Sequence, residues 1–123
     1  EHLSGMFEGT STTFQIMIPE NISDRPLQVE WRRNIFLIAK EALHNVLKHA
    51  QATLVDLTVK VDRDNLVITI RDNGVGFTIE EKMGKGNGLN NMEKRAKACG
   101  AKLTIQSYPG KGTSLTISTL LVT

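Results

Sequence analysis

The chain has 123 residues, 40% of them hydrophobic and 23% charged, which fits one soluble globular domain spanning 1–123 with a real core. Fifteen Lys and Arg stand against thirteen Asp and Glu, and a net charge of +2 is too small for the concentrated basic surface of a nucleic-acid binder. The single cysteine, Cys99, excludes an internal disulfide framework or a cysteine-rich metal site and reads as a buried inert thiol; no run approaches the roughly 20 apolar residues that span a bilayer.

The polar start, Glu1-His2-Leu3-Ser4-Gly5, does not resemble a signal peptide. Phe14, Ile16 and Ile18 alternate as in a strand, and the stretch Pro19 to Pro26 breaks regular structure after it. From about Glu30 to Ala50, apolar residues at 35, 36, 39, 42, 43, 46, 47 and 50 recur at helical spacing and predict a long amphipathic helix. Val55, Leu57, Val59 and Val61, a turn at Asp62-Arg63-Asp64-Asn65, and Leu66, Ile68 and Ile70 predict a hairpin ending at Arg71-Asp72. Glycines at 74, 76, 84, 86 and 88 then mark a mobile loop. Leu89, Met92, Ala96 and Cys99 predict a second helix that Gly100 stops in the left-handed conformation. Two strands, around Leu103–Ile105 and Ser114–Leu120, close the chain around the turn Tyr108 to Gly112. Alternating strands have one apolar face and amphipathic helices one apolar stripe, so the expected packing is a two-layer α/β sandwich with helices covering one face of about five strands.

Several polar clusters stand out. At 100° per residue, Glu41, Asn45 and Lys48 fall within an arc of roughly 60° on the first helix. An amide oxygen that ligates magnesium, an ammonium that meets phosphate and a carboxylate that polarises a nucleophile suit a metal-bound polyphosphate; on this helix alone, a solvated polar face is the plainer reading. Asp72-Asn73-Gly74-Val75-Gly76-Phe77 lets the backbone approach a flat ligand, with Asp72 able to accept from an exocyclic amine, although Asp-Asn-Gly is also an ordinary turn. Gly84-Lys85-Gly86-Asn87-Gly88-Leu89 runs into a helix whose free N–H groups can hold an anion; it is neither a P-loop nor a dinucleotide fingerprint, and a flexible helix cap explains it equally well. Gly110-Lys111-Gly112-Thr113 reads as a hairpin turn. His44 and His49 are five residues apart and do not share a helix face, which excludes a zinc pair.

In order, Glu41 to Ala50, Asp72 to Phe77, Gly84 to Leu89 and Gly110 to Thr113 resemble the N, G1, G2 and G3 boxes of the GHKL ATPase superfamily. The run Gly88-Leu89-Asn90-Asn91-Met92-Glu93-Lys94-Arg95-Ala96 resembles the G-L-x-x-M-x-x-R-A of histidine kinases that pair with LuxR/NarL-type response regulators. The resemblance implies a Bergerat fold with a mixed sheet that binds ATP with Mg2+ between the first helix and the glycine loop. It assigns Asn45 to magnesium, Asp72 to the adenine amine, Gly74 and Gly76 to that pocket, and Gly86 and Gly88 to the phosphates, beside Gly84 and Leu89 of the same box. Lys48 would lie near the phosphates, Gly112 and Thr113 would support the adenine side, and Glu41 would help the acceptor histidine lose its proton. The lid, about Phe77 to Asn87, is short and lacks a phenylalanine box. No dimerisation helix with a phosphoacceptor histidine is found, so the expectation is a monomeric catalytic fragment. It would be cytoplasmic, without membrane contact of its own, whether or not its parent kinase is anchored in the inner membrane. Its implied partners are the parent's histidine phosphotransfer helices and a downstream response regulator. An anti-sigma-factor serine kinase and a degenerate docking module are the alternatives.

Overall fold

The computed structural model describes residues 3–18, 29–77 and 88–120. A short 3-10 turn, Leu3–Phe7, precedes strand β1 (Thr13–Met17). Helix α1 (Val29–Asn45) runs on into a π-helical turn, Val46–Ala50, closed by Gln51 in the left-handed conformation. Strands β2 (Leu54–Asp62) and β3 (Asn65–Asp72) follow, then helix α2 (Gly88–Ala98) and strands β4 (Lys102–Ser107) and β5 (Thr113–Leu120). The strands form one sheet in the order β1-β2-β3-β5-β4. Among the described strands only β1 and β2 pair in parallel, which demands a crossover, and α1 supplies it.

The register explains the two layers. Val55, Leu57 and Val59 of β2 lie opposite Asp72, Ile70 and Ile68 of β3; these in turn oppose Thr113, Leu115 and Ile117 of β5, whose β4 partners are Ser107, Ile105 and Leu103. A side-chain period of two therefore sends one continuous apolar set to one face, while Thr58, Thr69, Arg71, Thr116 and Gln106 occupy the other. The inner face is closed by Ile35, Ile38, Ala39, Ala42, Leu43 and Val46 of the first helical segment and Leu89, Met92 and Ala96 of α2. Ile38 and Leu43 are wholly inaccessible to water, each worth roughly 1.5–3 kcal/mol of apolar burial. Phe7 extends this core toward β1, its ring 5.1 Å from that of Phe14.

The boundaries differ from expectation in instructive places. The first helix loses α-helical winding after Asn45, so Leu47, predicted to be core, is exposed, whereas Trp31 and Ile38, absent from the predicted stripe, are buried. β1 stops at Met17, and Ile16 stays partly exposed because β1 is an edge strand. Gly100 ends α2 at φ +73°, as its position predicted. Cys99 is only half-buried, with its Sγ 3.6 Å from the Ala96 carbonyl, because it falls in the turn after α2 and not within its buried stripe.

Candidate functional site

A cleft of about 280 Å³ opens between the inner face of the sheet and the two helices. Its apolar floor is Ile70, Ile105, Leu115, Val46, Leu89 and Met92; polar groups stand at two ends.

The first end is built where β3 stops. Even-numbered residues of β3 face inward, so Asp72 continues the row of Leu66 and Ile70 and carries a carboxylate into the cleft while itself only 8% exposed. One carboxylate oxygen accepts the Gly74 N–H at 2.8 Å, and the Thr113 N–H also donates to the carboxylate. Burial raises the Asp72 pKa above its ordinary 3.8, and those two hydrogen bonds offset the rise only in part. Gly74 thus acts through its backbone on Asp72 and is not on the cleft wall.

Gly76 (φ +67°) and Gly112 (φ +77°) are required by close backbone approach. A β-carbon on Gly76 would collide with the Tyr108 carbonyl, and one on Gly112 with the Asp72 carbonyl. The two glycines therefore let the segment after β3 lie directly on the β4–β5 turn, where the Gly110 N–H donates to the Val75 carbonyl. Thr113 lines the cleft beside Asp72, to which it is register-paired. Ser107, 3% exposed, joins both segments: its Oγ accepts the Phe77 N–H at 2.9 Å, donates to the Gly112 carbonyl at 3.2 Å and lies 2.7 Å from Thr113 Oγ1. Asn73 faces away and clamps β3 to β2, accepting the N–H groups of Thr53 and Leu54 at 3.0 Å and donating to Thr53 Oγ1 at 2.9 Å.

The second end lies between the helices. Glu41 and Asn45 line the cleft from α1, and Gly88, the first residue of α2, faces them. A β-carbon on Gly88 would sit 3.0 Å from Glu41 Oε2 and 3.7 Å from Asn45 Nδ2, so the missing side chain leaves the start of α2 open toward both polar groups. Helix starts carry unpaired N–H donors and a positive dipole end. With a carboxylate that suits an amine at one end, an apolar slot between, and an amide oxygen opposite a helix start at the other, the residues fit a purine nucleotide with a metal-bound polyphosphate.

Of the residues singled out in the sequence, Glu41, Asn45, Asp72, Gly76, Gly88, Leu89 and Thr113 line this cleft, and Gly74 and Gly112 support it through the backbone. Lys48 is exposed and absent from the lining, whereas His49 lines the cleft. The cause is the π-helical turn, which advances fewer degrees per residue than an α-helix and so carries Lys48 off the face that holds Asn45. Gly84 and Gly86, with most of the expected lid, lie outside the described residues. Sequence reasoning missed Ser107 and His49; the alternation Leu103, Ile105, Ser107 would have put a hydroxyl on the inner face. Among the described residues no group of three or more His, Cys, Asp or Glu could hold a metal ion, and no helix is long and apolar enough to cross a membrane.

A family model described as histidine kinase-, DNA gyrase B-, and HSP90-like ATPase matches residues 32–123. The sensor protein VraS of Staphylococcus haemolyticus is 35% identical over 100 residues, covering 81% of this chain and 26% of VraS; VraS from Staphylococcus aureus strain COL matches to the same extent. The chain thus spans about a quarter of the length of these relatives. Among solved structures, the histidine kinase domain of the blue-light activated histidine kinase from Erythrobacter litoralis EL346 superposes with a TM-score of 0.79 at 24% identity, over 96% of this chain and 55% of that one. The ATP-binding domain of PrrB from Mycobacterium tuberculosis superposes with a TM-score of 0.62 at 26% identity, over 74% of this chain and 69% of that one.

Proposed function

This chain belongs to the family of histidine kinase-, DNA gyrase B-, and HSP90-like ATPases, and from that premise we propose that it binds ATP with magnesium and presents the γ-phosphoryl group to a histidine on a separate dimerisation domain. The observation that carries the reading is the cleft itself: Asp72 at one end and the Gly88 helix start facing Glu41 and Asn45 at the other. Asp72 and Thr113 hold the adenine edge, Ile70, Leu89, Met92 and Leu115 exclude water from the base, and the α2 N-terminus faces the phosphates. The Asn45 amide oxygen would hold magnesium, which would supply charge neutralisation for phosphoryl transfer. Glu41, within reach of the same end, takes the proton from the attacking imidazole. Gly84 and Gly86 would complete the phosphate contacts.

The acceptor histidine and the helices that carry it belong to the remainder of a kinase like those this chain resembles. The G-L-x-x-M-x-x-R-A run favours a downstream response regulator of the LuxR/NarL type, although its Leu89, Met92 and Ala96 also serve the core. In this reading the chain is a monomeric, cytoplasmic catalytic module.

Calorimetric titration of the chain with a non-hydrolysable ATP analogue, with and without magnesium and beside GTP, tests the binding half. Magnesium-dependent, adenine-selective binding is expected; a folded chain that binds neither nucleotide sinks the assignment. In the full-length kinase, Glu41→Gln should keep nucleotide affinity and lose phosphotransfer, and undiminished transfer would remove Glu41 from its role.

A further inference from the structure

We propose that Ser107 is a specificity-determining residue: by fixing the direction of the Thr113 hydroxyl, it sets two side-chain hydrogen-bond acceptors side by side at the base end of the cleft. The inference rests on the nucleotide reading above and adds to it the means by which a 6-amino purine is chosen over a 6-oxo purine.

Ser107 Oγ has three polar neighbours: the Phe77 N–H, the Gly112 carbonyl and Thr113 Oγ1. A hydroxyl carries one proton and accepts at two positions. The Phe77 N–H can only donate and the Gly112 carbonyl can only accept, so Ser107 satisfies all three neighbours only if its proton goes to Gly112 and Thr113 donates to Ser107. The reverse arrangement leaves the carbonyl oxygen of buried Gly112 facing a lone pair at 3.2 Å in a site with little water, which is costly. Thr113 therefore spends its one hydroxyl proton away from the cleft and turns lone pairs toward it. Beside it stands the Asp72 carboxylate, held by the Thr113 N–H and likewise an acceptor.

Two acceptors side by side select a ligand edge that brings donors. The amino group of a 6-aminopurine brings two N–H donors; a 6-oxopurine brings only its N1–H, and its carbonyl would meet lone pairs. Ser107 touches neither ligand, so it acts through Thr113 as a positioning residue. Without the Ser107 oxygen, the Thr113 hydroxyl can rotate and donate into the cleft, and the penalty against a 6-oxo group falls.

The test is titration of the chain with adenosine and inosine diphosphates in the presence of magnesium, for the unsubstituted protein, Ser107→Ala, Thr113→Val and the double variant, each with a thermal unfolding midpoint. Ser107→Ala should weaken the adenosine ligand by about 3- to 10-fold, the range of one net hydrogen bond, and lower the adenosine-to-inosine preference by at least as much. In the Thr113→Val background Ser107→Ala should leave the preference where it was, because the hydroxyl it orients is gone. A lowered midpoint with an unchanged preference would make Ser107 a brace only and overturn the proposal, as would an equal loss of preference in both backgrounds. If Ser107→Ala does not fold, Ser107→Cys, a weak hydrogen-bonding group of similar shape, reports on the same ratio. Failure of the unsubstituted chain to bind either ligand would overturn the nucleotide reading itself, an outcome distinct from the two above.

Discussion

The two ends of the cleft are built by different means. The base end is made of backbone: Asp72 is held by two N–H groups, Gly76 and Gly112 allow segments to lie in contact, and Ser107 ties three neighbours together out of water. The opposite end is made of side chains: Glu41 and Asn45 are half-exposed, the exposed His49 also lines the cleft, and among the described residues none of the three side chains has a hydrogen-bond partner. In the proposed function a rigid end would suit a flat ring whose shape does not change, while groups left unbonded would keep their capacity for a metal and a polyphosphate. The difference separates where stability should respond to substitution from where affinity should.

The largest effect is expected from breaking the base end. Gly112→Ala and Gly76→Ala each force a β-carbon into a carbonyl at positive φ, and each should cost about 3 kcal/mol or more in chemical denaturation and abolish nucleotide binding. An alanine variant as stable as the parent would mean the segment and the turn are not held in contact. Next comes Asn45→Ala, which removes a proposed ligand from a half-exposed position. It should leave the unfolding midpoint within a degree or two while magnesium-dependent affinity falls at least by the roughly 10- to 100-fold typical of disturbed metal shells. A stability loss without an affinity loss would reverse the contrast between the ends.

A smaller pair of effects tests the π-helical turn. His49→Ala should weaken nucleotide binding several-fold, about one hydrogen bond's worth, while Lys48→Ala stays within about a factor of two. The opposite ranking would favour the unbroken α-helical register that the sequence suggested.

The smallest effect is the pH dependence, and it has two signs. The folded, empty chain holds the Asp72 proton more tightly than the unfolded chain does. Its contribution to stability is therefore fully present below the ordinary 3.8 and is lost as pH rises through the raised folded value. If Asp72 accepts from the adenine amine as proposed, binding should need the ionised carboxylate and be lost as pH falls through that same value. Near it, binding should release protons, seen calorimetrically as a heat that changes with the buffer's ionisation enthalpy; an invariant heat would separate Asp72 from the binding step.

Much of this was legible in the chain. Alternation in β2, β3 and β5 fixed the inner face, and because Asp72 continues the parity of Leu66 and Ile70, its inward direction followed from the strand pattern alone. Gly100 carried its helix stop in its own conformational freedom. Lys48 leaves the helix face it was expected to share with Asn45 because 100° per residue does not hold past Asn45, where the helix widens; nothing in Val46-Leu47-Lys48-His49-Ala50 announces that change. Ser107 was passed over because its partners, Phe77, Gly112 and Thr113, come from two separate segments, one of them 30 residues away.

The sequence by itself determined the main helices and strands, the face that β2, β3 and β5 bury and the order of the four polar clusters, because periodicity and glycine conformation are local properties. The tertiary structure decided that Asp72 meets Thr113 across 41 residues of chain, that Gly88 stands against Glu41 and Asn45, and that His49 lines the cleft whereas Lys48 does not. Those facts depend on β4 taking the sheet edge and β5 returning beside β3, a pairing of distant segments whose free energy no local pattern contains.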